Sequence, residues 1–360
     1  MNKLARPELL SMKPYAKPYD MVLSEGYEDK IYLHANENGY FLFGYENLNR
    51  YPESMQPPKL LEKLSSIYGV TIDRIIVTRG ADEAIDLLVR AFCRAYVDKI
   101  IVCPPTYSMY EISANIQGAE VLRVPLVARD NFSLDVDGIL TSWTPEVKLV
   151  FLCYPNNPTG TLLKLDSILE LCQKLADRSL IVVDEAYIEF GDIPSLVNFI
   201  DKYPNLVVLR TLSKFYGLAG IRCGSAIANV EIINLLQKVI APYPLPTPTI
   251  DIVTSYLTKD NLDKLNINLK FILNDRAMLA EFFATLGCVK KVWDSYTNFL
   301  LIKVDDVKAI VSLCHKNNIV IRNFSNDPYL ENCIRVSIGS TRENYILMEV
   351  LYAFKNTNLL

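Results

Sequence analysis

The stretch LVVLRTLSKFYGLAGIRCG, residues 206–224, decides how the chain is interpreted. It begins with four apolar residues, 206–209, which are typical of a buried strand. Lys214 and Arg222 follow in a segment that is too apolar to be a solvated surface. A buried, unpaired lysine is costly and its pKa shifts downward, as an amine nucleophile requires. The two cations therefore indicate a ligand site, and other parts of the chain must supply its remaining walls.

The composition is that of a globular enzyme and argues against several other classes of protein. The chain has 360 residues, of which 50% are hydrophobic and 22% charged, and this length favours two domains. Its net charge of -4 argues against a nucleic-acid partner. It contains no long apolar run and no secretory signal, so we expect a cytoplasmic protein without a membrane partner. The eight cysteines are scattered and only two histidines are present, so we predict neither disulfides nor a metal site.

Short apolar runs alternate with helical patterns between about residue 56 and residue 240. The predicted strands are 74–78, 99–103, 121–125, 148–153, 180–184 and 206–209, and the predicted helices include 58–68, 81–95 and 107–117. Strands that are apolar throughout are typical of a mostly parallel sheet with helices on both faces. The pattern therefore predicts a doubly wound α/β domain.

The chain changes character at a proline-rich segment, APYPLPTPT (241–249). These prolines cannot continue a helix or a central strand, so we place a border there. A long helix at about 262–286, strands at 299–304, 319–322 and 334–338, and a final helix at 342–354 predict a smaller α+β unit. The predicted domains are an arm at 1–40 that includes part of the small domain, a large domain at 41–250 and a small domain at 251–360.

Polar residues follow five of the predicted strands, at the sheet edge where open α/β folds bind ligands. Ala81 and Asp82 begin a helix whose free N–H groups form an anion site, although Asp82 alone also fits a plain helix cap. Tyr107 and the loop YPNNPTG (154–160) follow two further strands, and each alone fits packing or a turn. Asp184 ends the run LIVVD, where a carboxylate is costly to bury unless it meets a cation or a strong donor.

Together these strand ends describe a site for pyridoxal 5'-phosphate. A lysine such as Lys214 holds that cofactor as a Schiff base, and an acid such as Asp184 pairs with the pyridinium nitrogen. An aromatic side chain for stacking and an anion site at a helix N-terminus complete the set. The ordered combination, rather than any single residue, predicts the cofactor.

In this order the motifs YPNNPTG (154–160), DEAY (184–187), RTLSK (210–214) and GLAGIRCG (217–224) resemble the fold-type-I pyridoxal-phosphate-dependent aminotransferases. The resemblance is greatest to the histidinol-phosphate aminotransferase family and also includes NRYPE (49–53), TRGADEAIDLLVRAFC (78–93), CPPTYSMY (103–110), LLQKVIAPYPL (235–245) and CIRVSIGSTRE (333–343). It implies a large doubly wound domain with a smaller α+β domain. It also implies transamination between L-histidinol phosphate and 2-oxoglutarate, which gives imidazole-acetol phosphate and L-glutamate in histidine biosynthesis.

The resemblance also implies roles around the cofactor ring. Lys214 would hold the cofactor and then act as general acid and base, while Asp184 would pair with the ring nitrogen. Tyr107 would stack on the ring. Asn157 and Tyr187 would hydrogen-bond its phenolic oxygen.

For the cofactor phosphate, the resemblance implies a cradle at the helix N-terminus of Ala81 and Asp82, with Ser213 and Arg222 as further donors. Tyr51 would reach the phosphate of the partner subunit, which implies a homodimer.

For the substrates, the resemblance implies that Tyr15, Arg322 and Arg335 grip the phosphate of one substrate and the carboxylates of the other. A guanidinium suits both anions because it makes bidentate hydrogen bonds to either.

The chain departs from the family pattern at His34, at Tyr154 and at Phe215-Tyr216, which leaves the substrate range open. Two other activities on the same scaffold also stay open: the decarboxylation of threonine phosphate and the transamination of aromatic amino acids. An effector-binding part of a transcription regulator is disfavoured because the chain has no spare basic segment for DNA.

Overall fold

A computed structural model describes residues 2–13, 36, 38, 48–52 and 56–355 of the chain. Tyr15 and His34 lie outside these residues. The helices are α1 (Pro7–Ser11), α2 (Pro58–Tyr68), α3 (Ala81–Phe92), α4 (Met109–Gln117), α5 (Val136–Ser142), α6 (Leu165–Lys174), α7 (Val230–Val239), α8 (Thr247–Tyr256), α9 (Lys259–Ala284), α10 (Val307–Lys316) and α11 (Thr341–Lys355). The strands are β1 (Ile75–Thr78), β2 (Lys99–Val102), β3 (Glu120–Arg123), β4 (Val147–Cys153), β5 (Leu180–Asp184), β6 (Leu206–Thr211), β7 (Gly224–Ala228), β8 (Val289–Val292), β9 (Phe299–Val304), β10 (Arg322–Asn323) and β11 (Cys333–Ser337).

The large sheet has seven strands in the order β1-β7-β6-β5-β4-β2-β3. Neighbours from β6 to β3 are parallel, whereas β7 runs antiparallel to both β6 and β1. Because β7 is antiparallel to both neighbours, β1 points the same way as β6. The carboxyl ends of six strands therefore meet at one edge of the sheet, and the predicted mostly parallel, doubly wound fold is confirmed.

The strands of this sheet are apolar throughout because both of its faces are covered. On β6, Leu206 and Val208 belong to one core cluster, and Val207 and Leu209 belong to the other. Successive side chains of a strand point to opposite faces, so each face of β6 contributes to a different core. Burial of each such side chain stabilises the fold by about 1.5–3 kcal/mol.

The smaller sheet is antiparallel, in the order β10-β11-β9-β8, and has its own core with α9, α10 and α11. Helix α9 contacts both cores, because Leu265 packs with the large-sheet cluster, whereas Leu279 and Phe283 belong to the small one. The division of the chain at residues 40 and 250 stays a prediction.

Most predicted elements are confirmed, with differences at their ends. Helix α2 and strand β9 have the predicted bounds, whereas α3 ends at Phe92 rather than at residue 95. The predicted strand 319–322 was wrong, because only Arg322 and Asn323 pair there, and β7 was not predicted. The eight cysteines are buried and free, as expected. Within the described part of the chain, every helix is too short or too polar to cross a membrane.

Candidate functional site

A cavity of about 930 Å³ lies beyond the carboxyl edge of the large sheet, and residues from both sheets line it. It brings together eleven of the thirteen predicted site residues, namely Ala81, Asp82, Tyr107, Asn157, Asp184, Tyr187, Ser213, Lys214, Arg222, Arg322 and Arg335. Tyr51 lies outside this lining, with its ring stacked on Tyr243 at 4.7 Å, and Tyr15 is outside the described residues. Residues from strand ends far apart in sequence thus meet in one chamber.

Lys214 lies three residues beyond the end of β6 and lines the cavity, and its side chain is exposed rather than buried, contrary to the prediction. Its Nζ atom is 5.7 Å from the centre of the Tyr187 ring. Partial desolvation by the surrounding protein, and then the guanidinium of Arg335, lower the pKa of Lys214 from its ordinary value. A lowered pKa increases the neutral fraction of the amine, which is the form that attacks a carbonyl carbon.

Asp184 is a buried carboxylate at the end of β5. Its Oδ2 accepts a hydrogen bond from the Tyr110 hydroxyl at 2.8 Å, and its Oδ1 accepts one from the backbone N–H of Ala186 at 3.0 Å. Burial raises the pKa of Asp184 to about 6, although both hydrogen bonds oppose the shift. The two hydrogen bonds therefore fix the position of the Asp184 carboxylate, while its burial disfavours the ionised form.

The next residue, Glu185, provides a contrast, because its cation is part of the protein. The Arg210 guanidinium lies 3.4 Å from Oε2 of Glu185 and 2.6 Å from Oε1 of Glu189. Glu185 also accepts hydrogen bonds from the Ser195 hydroxyl and the Leu196 N–H. Among the described residues, no cation lies within ion-pair distance of Asp184.

Asn157, Tyr187 and Arg335 form a hydrogen-bonded group in the cavity lining. Arg335 donates a hydrogen bond to Oδ1 of Asn157, whose amide donates to the Tyr187 hydroxyl at 3.4 Å. The Tyr187 ring packs edge-on against Phe299, with a centroid distance of 5.3 Å. Burial raises the pKa of Tyr187 and lowers that of Arg335. The group offers an amide and a hydroxyl side by side to one ligand oxygen.

The N-terminus of α3 and the Arg222 side chain form an anion cradle. Arg222 donates hydrogen bonds to the Ser213 hydroxyl at 3.4 Å and to Oδ2 of Asp82 at 3.1 Å. The Tyr107 hydroxyl donates to the other oxygen of Asp82 at 2.9 Å. The Asp82 carboxylate only accepts hydrogen bonds, so the anion donors of the helix start are its free backbone N–H groups.

Two glycines allow the backbone and Arg222 to come this close. A Cβ on Gly80, whose φ is +77°, would lie 2.7 Å from Nη2 of Arg222. A Cβ on Gly224 would lie 2.5 Å from the backbone N of Ala81 and 2.5 Å from the backbone C of Gly80. Arg222 itself has a φ of +53°, an uncommon conformation for a residue with a side chain.

Gly224→Ala is expected to weaken the anion cradle, because the new methyl group meets backbone atoms that cannot rotate away. We expect the free energy of unfolding to fall by about 1–3 kcal/mol, as is usual for overpacking, and the Kd for a phosphate-bearing cofactor to rise. Urea unfolding and a fluorescence titration measure the two effects. Gly220→Ala is the matched control, since nothing lies within 4 Å of its Cβ position. Equal behaviour of the two variants would contradict this description of the cradle.

The far end of the cavity carries two arginines on paired strands. Arg322 on β10 is directly opposite Arg335 on β11. The centre of the Phe324 ring lies 5.7 Å from the guanidinium carbon of Arg322 and 5.8 Å from that of Arg335. Arg335 also lies 5.0 Å from the centre of the Phe299 ring. Arg322 is exposed and Arg335 is half-buried. Two guanidiniums held by aromatic rings form a receptor for an anionic group.

Sequence reasoning did not identify Tyr110, Arg210 or Phe324. Tyr110 in the apolar face of α4 looks like a core residue, and its partner Asp184 is 74 positions away. The departures at 154 and 215–216 were identified, but Tyr154, Phe215 and Tyr216 pack in the large-sheet cluster and do not line the cavity.

Comparisons with known proteins identify the family of the chain. A family model described as aminotransferase class I and II matches residues 42–351. The chain belongs to the aminotransferase class I and II family. A histidinol-phosphate aminotransferase of Blochmanniella floridana is 42% identical over 99% of both chains.

Solved structures of this aminotransferase family share the fold. The histidinol-phosphate aminotransferase of Clostridium acetobutylicum superposes with a TM-score of 0.78 at 26% identity, covering 86% of this chain and 92% of the other. That of Sinorhizobium meliloti, in complex with pyridoxal-5'-phosphate, gives 0.77 at 25% identity, with 86% and 83% covered. Pyridoxal phosphate is therefore the cofactor of this aminotransferase.

The residues of the cavity fit this cofactor. The cradle at Gly80 and Gly224 suits its phosphate, the amine of Lys214, whose pKa is lowered, suits its aldehyde, and the buried carboxylate of Asp184 suits its ring nitrogen. In the described ranges, no cluster of three or more metal-ligating side chains accompanies them.

Proposed function

We propose that this aminotransferase moves the amino group of L-histidinol phosphate to 2-oxoglutarate, giving imidazole-acetol phosphate and L-glutamate. The observation that carries the proposal is the 42% identity over 99% of both chains to a histidinol-phosphate aminotransferase. The cavity supports it, because a pair of arginines lies in the same chamber as the amine of Lys214.

The residues at the ring end would have distinct tasks. When bound, pyridoxal phosphate supplies an aldehyde for the amino group and a ring that takes up the electron pair left on the substrate's α-carbon. Lys214 would hold the aldehyde covalently and, once displaced by the substrate's amine, carry the proton from the substrate's α-carbon. Asp184 would keep the ring nitrogen protonated, and Tyr107 would stack on the ring.

The other contacts would fix the cofactor's orientation. Asn157 and Tyr187 would donate to its phenolic oxygen, which the 3.4 Å contact between their side chains permits. The N–H groups of Ala81 and Asp82, with Ser213 and Arg222, would bind its phosphate at the α3 N-terminus.

The arginine pair would bind both substrates in turn. Arg322 and Arg335, with Tyr15, would grip the phosphate of histidinol phosphate in one half-reaction and a carboxylate of glutamate in the other. A guanidinium is suited to both because planar carboxylate and phosphate oxygens accept the same bidentate hydrogen bonds.

We also propose that the enzyme is a cytoplasmic homodimer, with Tyr51 reaching the phosphate of the partner subunit. Tyr51 is 53% exposed and does not line the cavity of its own chain, which is consistent with a role in another subunit's site.

The test is the spectrum of the loaded enzyme mixed with histidinol phosphate alone. We expect conversion of the cofactor to its amine form, reversed by 2-oxoglutarate, with no release of carbon dioxide from threonine phosphate. Aromatic amino acids serve as the comparison donors, and a larger kcat/KM for one of them would transfer the proposal to that substrate class. No conversion by histidinol phosphate would refute it.

A further inference from the structure

Tyr110 is the one fully buried hydroxyl group that contacts the cofactor-facing carboxylate directly, among the residues that the structure describes. It lies on α4, its side chain is 0% exposed, and its hydroxyl donates to Oδ2 of Asp184 at 2.8 Å. A hydrogen bond to an ionised carboxylate is stronger than one between neutral groups. The bond therefore favours the charged form of Asp184 over the protonated form.

The Tyr110 ring is fixed on two sides. It stacks on Phe151 of β4 with a centroid distance of 4.9 Å and an interplanar angle of 9°, and it meets the edge of Tyr107 at 5.7 Å. A side chain held in this way cannot turn its hydroxyl away from Asp184 without disturbing the core. Tyr107 is the residue proposed to stack on the cofactor ring. The Tyr110 side chain therefore contacts both Tyr107 and Asp184, the two residues proposed to contact that ring.

The other groups around Asp184 do not replace this bond. Cys153 on β4 and Asp82 on α3 face it as thiol and carboxylate, and Tyr187 and Tyr107 face it as neutral phenols. The cation facing it is Lys214, which would be consumed in holding the cofactor. The backbone N–H of Ala186 is the remaining donor, at 3.0 Å.

We propose that Tyr110 is a positioning residue that keeps the shared proton on the cofactor's ring nitrogen rather than on Asp184. Asp184 and the ring nitrogen compete for one proton. The Tyr110 hydroxyl stabilises the carboxylate, so the proton stays on the nitrogen and the ring stays cationic. A cationic ring accepts the electron pair of the substrate's α-carbon better than a neutral one. The inference rests on the placement of the ring nitrogen at Asp184 proposed above.

The test is Tyr110→Phe in the holoenzyme loaded with cofactor labelled with nitrogen-15 in its ring. We expect the nitrogen resonance to move from the pyridinium position toward that of neutral pyridine. We also expect kcat for the amino donor to fall roughly tenfold, with KM almost unchanged, because one hydrogen bond to a charged group is lost. Replacement of Tyr110 by 3-fluorotyrosine, a stronger donor of similar shape, should move the resonance the other way.

Tyr154→Phe is the matched control, since it removes a hydroxyl from a buried tyrosine at the same sheet edge and leaves the Tyr110–Asp184 bond in place. A Tyr110→Phe enzyme with the wild-type nitrogen resonance and the wild-type kcat would overturn the role of Tyr110 alone. A neutral-pyridine resonance in the wild type, equal to that of Asp184→Asn, would instead overturn the placement of the ring nitrogen at Asp184, and the role of Tyr110 with it.

Discussion

Lys214→Ala is expected to abolish covalent attachment of the cofactor and to lower kcat by about 10⁴-fold or more, since one amine would serve as both anchor and proton carrier. Borohydride reduction followed by peptide mapping measures the attachment. In the wild type the pyridoxyl label should be found on the peptide that contains Lys214. In the variant that peptide should be unlabelled, while the cofactor still binds reversibly through the cradle of Arg222 and the α3 N-terminus.

Lys264→Ala is the control for this experiment, because Lys264 is exposed and paired with Asp260 at 2.6 Å, away from the cavity lining. It should keep both the label and the activity. A label on another lysine in the wild type, or substantial transamination by Lys214→Ala, would contradict the proposed role of the amine.

The sequence predicts the cavity well because the site is built from strand ends. Near-continuous apolar runs such as 180–184 and 206–209 leave few ways to place a parallel sheet, and parallel strands bring their carboxyl ends to one edge. Polar residues that follow within a few positions of such a run, as Lys214 follows β6, are thereby brought near the site, although Glu185 and Arg210 pair with each other instead of lining the cavity. The types of residue at the strand ends and their order along the chain are enough to predict which of them meet at the cavity.

The features that were not predicted depend on contacts between distant segments. Strand β7, Gly224–Ala228, contains few residues that favour strands, and no long helix separates it from β6. Its antiparallel pairing with β1 and β6 could therefore be seen only in the structure. In the sequence Arg210 directly follows the apolar run 206–209, and its burial against Glu185 and Glu189 depends on the neighbouring β5. Tyr110 and Asp184 likewise meet only once α4 packs on the sheet.

Asp184→Asn is expected to lower kcat roughly 10²–10⁴-fold, because a buried pyridinium would lose its counter-charge, a loss of about 3–5 kcal/mol for a buried pair. The amide cannot keep the ring nitrogen protonated. Steady-state kinetics with the preferred amino donor measures the loss, and the nitrogen-15 resonance of the ring should lie at the neutral position. A variant with wild-type kcat would show that the acid at the end of β5 is not the partner of the ring.

The same substitution should stabilise the cofactor-free protein, and the effect should depend on pH. The pKa of Asp184 is raised from 3.8 to about 6 in the folded protein, so the penalty on folding grows as the pH rises from 3.8 to 6 and is complete above about 6, where the buried group is ionised. The penalty is on the order of 3 kcal/mol at pH 8, since one pKa unit corresponds to about 1.4 kcal/mol. It fades as the pH falls from 6 toward 3.8, because the folded state then takes up the proton.

Urea unfolding of the cofactor-free protein at several pH values separates Asp184 from its neighbour. Asp184→Asn should unfold at higher urea than the wild type at pH 8, with the gap closing toward pH 4. Burial raises the pKa of Glu185 as well, to about 7, but Glu185→Gln also removes the ion pair with Arg210, so this variant should be less stable than Asp184→Asn at pH 8. The two adjacent buried carboxylates should thus respond differently, because Glu185 lies within ion-pair distance of Arg210 and Asp184 has no such cation among the described residues. If both variants were destabilised alike, Asp184 would be a structural residue rather than an acid kept unpaired for the cofactor.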